Sequence, residues 1–354
     1  MTTEEDARSF LLGTFVDHSG VPFPAIVIAD FAYPIRDLLR STYHAQGKEP
    51  PLTMIDVMEG WENNWPALCT AATRLAEQPD PTGRPVGDLQ TLAPIRPRQI
   101  ICAGANYRAH VIEIMADHAS SSAGGDSRDE RRRRAERIMD HRVQEGQPYA
   151  FIKPYSTVLD PYADLEIPAD SHQLDWELEL GVVIGKAARR VRQENALDHI
   201  AGYVVANDIS ARDHIARPDF PLLGLDYIAG KGGPGFLPLG PFILPAAFVR
   251  DPQDLQITLH LNGQVMQQSS TSDMIFPVAR IIEFLSVHMQ LLPGDIITTG
   301  SPAGNGTHYD RFLRPGDVIE GTIQGMGLQR NRCVAERVAP GMVMHRKFVA
   351  LETS

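Results

Sequence analysis

The chain has 354 residues, 43% of them hydrophobic, and a formal net charge of −11 at pH 7. That acidity argues against a nucleic-acid partner, and no apolar run is long enough to span a membrane. Three scattered cysteines without a CxxC argue against a disulfide framework or a zinc-thiolate site. With no signal-like apolar core between Met1 and Arg8, the expected location is the cytoplasm.

Phe10 to Val16 and Ala25 to Ala29 read as strands around the turn Asp17-His18-Ser19-Gly20. From Met54 to Glu77 the apolar residues Met54, Val57, Trp61, Trp65, Leu68, Ala72 and Leu75 fall at helical spacing. Pro66 interrupts that run, so two short helices are expected, with Pro66 in the first turn of the second. Gln78 to Pro85 is turn-rich and serves as a linker. Residues 1–95 are expected to form a small N-terminal α/β domain, followed by a larger domain over 96–354.

Gln99 to Gly104 reads as a short buried strand that opens into Ala105 to Glu113. A helix after Asn106 would put His110 and Glu113 on one face at i and i+3. An imidazole oriented by a carboxylate is how a general base is built; the plainer alternative is a surface His–Glu pair. Residues 117–126 are Ser/Ala/Gly-rich and expected to be mobile. The basic run Arg131 to Arg134 is either an anion-binding patch or the solvated face of a helix, since Asp129, Glu130, Glu136 and Asp140 interleave with it. Residues 117–147 as a whole read as a surface insertion.

From Tyr149 onward the text is strand-rich. Phe151 to Pro154, Trp176 to Val183, Gly202 to Ala206, Gln256 to Leu261 and Val318 to Ile323 are the clearest runs. Asn262-Gly263 signals a hairpin, Pro293-Gly294-Asp295 and Pro315-Gly316-Asp317 signal turns into strands, and Pro277 to Leu285 a short amphipathic helix. Asp175, Glu177 and Glu179 alternate with Leu178, Leu180, Val182 and Ile184, so a strand would put the acids on one face. They are either a hard-cation site or the solvated face of an edge strand. Asp208, at the end of a strand, can complete a three-carboxylate set, and Arg212 follows one helical turn later. Gly230-Lys231-Gly232-Gly233-Pro234-Gly235 matches GxGxxG, but Phe236 to Pro241 cannot form the helix that a dinucleotide site requires. It reads as a loop with a lysine in it.

Taken in order, Tyr107-x-x-His110-x-x-Glu113, Phe151-Ile152-Lys153-Pro154, Glu177-Leu178-Glu179-Leu180-Gly181, Asn207-Asp208-x-Ser210-Ala211-Arg212-Asp213, Gly230-Lys231, Pro238 to Pro241 and Gly294 to Pro302 resemble the fumarylacetoacetate hydrolase family. The likeness spans about residues 98 to 335 and is to a bacterial acylpyruvate hydrolase-like member. It implies a β-rich α+β fold with a β-roll catalytic domain, a homodimer, and Mg²⁺ or Mn²⁺ on Glu177, Glu179 and Asp208. It also implies hydrolysis of a C–C bond in a 1,3-dicarbonyl acid, by way of an enolate held by the metal. His110 and Glu113 would activate water and Lys231 would meet developing negative charge. Tyr107, Arg212, Thr299 and Ser301 would contact a small oxo-acid substrate. Metal-enolate chemistry equally serves a 2-oxo acid decarboxylase or tautomerase, and a non-catalytic ligand-binding relative is a third reading. The chain departs from the family at Ile215, where Gln is frequent three residues after the arginine. Gly232-Gly233 replaces Ser-Phe after the lysine, which is expected to open that wall. The insertion is longer than in a typical member and is expected to form a cover or a dimer contact.

Overall fold

Strands buried on both faces read as near-continuous apolar runs, and Leu178–Ile184 is such a strand, with every residue buried. In a computed structural model describing residues 9–78, 80–117, 127–220, 222, 224–339, 341 and 343, it lies well inside a 12-stranded sheet. Residues 1–8 and 118–126, including most of the stretch expected to be mobile, fall outside the described residues. Leu178–Ile184 runs antiparallel to Ile200–Asn207 on one side and to Ile296–Thr298 on the other. The solvated-edge alternative for its acids is therefore overturned.

Ile296–Thr298 continues the sheet into Ile100–Gly104 and then Tyr149–Lys153, its last strand. In the other direction Ile200–Asn207 pairs with Leu237–Pro245, which pairs with Leu11–Val16 through Leu12↔Ile243. The N-terminal strands thus extend the same sheet. A second sheet of five strands contains Gln256–Leu261 and Gln264–Ser270, joined by a hairpin at Asn262-Gly263, together with Val318–Ile323 and Leu328–Ala335.

Two cores follow from the period-two alternation. Leu178, Leu180 and Val182 join Ile257, Leu259, Ile319 and Ile281 in one cluster, on the side of the second sheet and the helix Val278–His288. Val183, Val204 and Ala206 face the other way, packing with Leu12, Ile26, Leu39 and Leu68 of the N-terminal strands and helices. Gly321 makes room for the first core, since a Cβ there would lie 2.5 Å from Leu178 Cδ1.

Three local expectations are corrected. The helices Met54–Glu59 and Trp61–Glu77 break at Gly60, and Pro66 is the sixth residue of the second rather than part of its first turn. Asn64 closes against Gly60, where a Cβ would lie 2.7 Å from its Nδ2, so the glycine rather than the proline sets the break. The strand expected over Trp176 to Val183 starts at Leu178; Leu174–Asp175 is a separate short strand paired with Ser210–Ala211. The supposed loop before Gly232 is a five-residue helix, Tyr227–Lys231, which Asp226 caps by accepting from Ala229 N.

The insertion helix Arg128–Glu145 starts with a capping box between Ser127 and Glu130. It buries Ala135 and Met139 in a cluster with Val111 and Ile112 of the helix Arg108–Asp117. Its arginines 132 to 134 are exposed, as a solvated face requires, while Arg131 Nε donates to Ala116 O at 2.9 Å.

Candidate metal centre

Glu177, Glu179 and Asp208 are buried together, with one oxygen of each within 4.8 Å of the others. Glu179 sits on the central strand, Glu177 in the break just before it, and Asp208 just past Ile200–Asn207. The Leu178↔Asn207 register brings the two chain segments level. Asp208 N then donates to Glu177 O at 2.8 Å, and Glu177 N donates to Asn207 Oδ1 at 2.9 Å. Gly300 N donates to Glu179 Oε2 at 2.7 Å. Gly300 has φ +94° and a Cβ there would lie 2.8 Å from Asn106 Cβ, so only glycine suits this approach.

Three cations answer the acids. Lys231 Nζ bridges Glu177 Oε2 at 2.6 Å and Asp208 Oδ2 at 2.5 Å. Lys153 Nζ donates to Asp208 Oδ1 at 2.5 Å and to Ile209 O at 3.1 Å. Arg212 spans Asp175 Oδ2 at 2.9 Å and Glu177 Oε1 at 2.5 Å. Among the described residues no cation forms an ion pair with Glu179. Burial, then the charges of Asp208 and Glu177, push its carboxyl well above the ordinary range. Burial also raises Glu177, but Arg212 and Lys231 outweigh it and hold that carboxyl well below the ordinary range. Lys231 is desolvated, yet Asp208 and Glu177 keep it firmly protonated.

His110 and Glu113 share the helix Arg108–Asp117 at i and i+3. His110 is 6% exposed, and burial pushes its ring down to about 4 against the opposing charge of Glu177. The ring is neutral at pH 7 and able to accept a proton. Glu113 Oε2 lies 3.6 Å from Nδ1 of His308, a residue the sequence reading did not single out. Tyr107 is fully buried, and its hydroxyl has no hydrogen-bond partner among the described residues. Thr299 Oγ1 donates to Leu180 O at 2.9 Å, and Ser301 Oγ accepts from Gln267 Nε2 at 2.9 Å. Both hydroxyls therefore already bind protein groups.

At Gly232-Gly233 the backbone packs closely against its neighbours. A Cβ on Gly233 would lie 2.8 Å from the Phe236 ring, and one on Gly232 would lie 2.6 Å from Ile228 O. Ile215 packs just as tightly, its Cγ1 being 2.1 Å from where a Gly230 Cβ would stand.

The donor set suits a hard divalent cation. All its atoms are carboxylate oxygens, and Mg²⁺ and Mn²⁺ prefer oxygen ligands. Among the described residues, Lys153, Lys231 and Arg212 pair with Asp175, Glu177 and Asp208, so Glu179 alone lacks a countercharge and its burial favours the protonated form. A bound cation would take the place of that proton.

Residues 99–334 match the family model described as fumarylacetoacetate (FAA) hydrolase, C-terminal. The chain is 33% identical over 288 residues to "Oxaloacetate tautomerase FAHD2A, mitochondrial" of Bos taurus, covering 80% of each. It superposes on the 2-hydroxyhepta-2,4-diene-1,7-dioate isomerase of Mycobacterium marinum with a TM-score of 0.62 at 26% identity, covering 93% of this chain and 99% of that one. For the maleylpyruvate hydrolase of Sphingobium sp. SYK-6 the TM-score is 0.66 at 25% identity, covering 92% and 100%. That hydrolase has also been solved in complex with manganese(II) ion and pyruvate.

Proposed function

The chain belongs to the fumarylacetoacetate hydrolase family, and on that premise we propose that it hydrolyses a C–C bond in a 1,3-dicarbonyl, acylpyruvate-like acid. The observation that carries the reading is the buried triad Glu177, Glu179 and Asp208 beside a neutral His110. A Mg²⁺ or Mn²⁺ ion held by the triad would supply Lewis-acid polarisation of adjacent substrate oxygens.

The residues of the chain supply the rest. His110 takes a proton from water at its unprotonated ring nitrogen, a step that typically contributes ~10²–10⁴-fold. Glu113, one turn further along the same helix, steadies the resulting imidazolium. The hydroxide adds to the carbonyl remote from the substrate carboxylate. The C–C bond then breaks, and its electron pair stays with the carbon between the two carbonyls as an enolate. His110 returns the proton to that carbon, leaving two acids as products. Arg212 has its Nε and one terminal nitrogen on Asp175 and Glu177, which leaves Nη1 for a substrate carboxylate. Lys231 has two of its three protons on Glu177 and Asp208 and can offer the third to a developing oxyanion.

A second reading is tautomerisation of a 2-oxo acid, favoured by the name of the bovine relative. Moving a proton between carbon and oxygen uses the same polarised carbonyl and the same base but consumes no water. Product analysis by NMR with Mg²⁺ separates the two. Pyruvate and acetate from acetylpyruvate, lost in Glu177→Gln and Glu179→Gln, support hydrolysis. Ketonisation of enol-oxaloacetate without acid fragments supports the second reading. Unchanged turnover in both variants would contradict any role for the triad.

A further inference from the structure

We propose that His308 is a positioning residue for Glu113, which rests on the reading of His110 and Glu113 as the base pair of the site. His308 belongs to the short helix Gly306–Tyr309, and Glu113 is far away in sequence on the helix Arg108–Asp117. The fold brings His308 Nδ1 to 3.6 Å from Glu113 Oε2, with both side chains less than a third exposed. That is an ion-pair separation, longer than a direct hydrogen bond. Contacts between catalytic groups are often long in ligand-free structures and tighten around substrate.

The short helix is built as a fixed mount. Asp175, fully buried, accepts from Gly306 N at 2.5 Å and from Thr307 Oγ1 at 3.0 Å. Gly306 has no room for a side chain, since a Cβ would meet Arg311 O at 2.4 Å and Asp175 Oδ1 at 2.7 Å. Asn305 Oδ1 accepts from His308 N at 3.2 Å, the Tyr309 hydroxyl donates to Met266 O at 3.0 Å, and Asp310 ends the helix in the left-handed region. The helix is therefore anchored at both ends. The same Asp175 carboxylate holds Arg212 at 2.9 Å, so one group registers both the arginine beside the triad and the mount of His308. On the other side, the helix carrying Glu113 is held by Ala109 N donating to Asp273 Oδ2 at 3.0 Å and by Val111 and Ile112 packing with Ala135 and Met139. With both supports fixed, the imidazole limits where the Glu113 carboxylate can sit, and on the proposed reading that sets how Glu113 meets His110 one turn earlier on the same helix.

The test uses the full chain with Mn²⁺ and whichever of acetylpyruvate or enol-oxaloacetate it turns over. His308→Ala is expected to lower kcat roughly tenfold, the scale of removing a group that orients a functional side chain, with KM little changed. His308→Gln, which keeps an N–H donor, is expected to recover part of the loss. In a Glu113→Gln background, His308→Ala is expected to cost nothing further. An unchanged kcat in His308→Ala, or an equal loss in the Glu113→Gln background, overturns the inference and leaves the functional reading standing. Full turnover in His110→Ala overturns that reading and this inference with it. A second measurement does not depend on turnover. In metal-free ¹⁵N-histidine-labelled protein, the ring resonances of His308 should move on Glu113→Gln, and unchanged resonances overturn the inference.

Discussion

Lys153 shows what a single buried charge does here. Its side chain is fully enclosed, and its ammonium is tied to Asp208 and to the Ile209 carbonyl. Burial lowers its affinity for a proton, and the adjacent Asp208 opposes that. Lys153→Ala should destabilise the chain by about 3–5 kcal/mol, because it strips a buried carboxylate of one partner; urea unfolding measures this. A stability loss near zero would mean that Asp208 is satisfied by Lys231 alone. Glu177 and Glu179 were legible in the sequence because their spacing is local, two residues apart in the chain. Lys153 stood in a quoted motif without an assigned role, and His308 went unnoticed. Their partners are set by strand pairing and loop placement across distant parts of the chain, which no local pattern encodes. Asp175 was read only as one of three acids sharing a strand face. Its short strand ends there, and its carboxylate instead holds Arg212 and the short helix Gly306–Tyr309.

At the scale of elements, periodicity found the helices and strands, while single glycines and prolines misplaced some of their ends. The insertion helix is the clearest gain from the structure. Its charge run marked a solvated face, but the residues that matter for packing are the apolar Ala135 and Met139, pressed against the helix that carries His110. Met139→Ala should cost about 2–5 kcal/mol, whereas Asp140→Ala should cost about 0–1 kcal/mol, because its pair with Arg108 is exposed. Comparable losses from the two in urea unfolding would contradict this division. The turn at Pro315-Gly316-Asp317 carries a pH prediction. Burial would raise Asp317, but Arg311, Asn262 and Arg314 N donate to it and hold it below the usual aspartate value. Its stabilising effect is thus complete above the unfolded-state aspartate value and is lost as pH falls through the lower folded-state value. Unfolding free energies measured from pH 5 down to pH 3 should fall less steeply in Asp317→Asn than in the wild type. Parallel curves would rule out the contribution.

For the whole molecule, the sheet-rich fold was legible from the ordered motifs, but the way the first 95 residues join it was not. Leu12 pairs with Ile243, a partnership between strands remote in sequence. No described helix is long and apolar enough to cross a membrane. The last strand of the large sheet, Tyr149–Lys153, leaves Ile152 57% exposed and Tyr149 47% exposed, which supports the proposed homodimer. Sedimentation at twice the chain mass is the expected result. The buried carboxyl of Glu179, which has no countercharge among the described residues, ties stability to metal binding. Mn²⁺ at 100 times its Kd should add about 2.7 kcal/mol to the folded state, and EDTA should remove it. The most direct test of the account is a Mn²⁺ titration followed by electron paramagnetic resonance of the free ion, comparing the wild type with Glu179→Gln. The account predicts one saturable site in the wild type and at least tenfold weaker binding in the variant. Equal binding by the two proteins would contradict it.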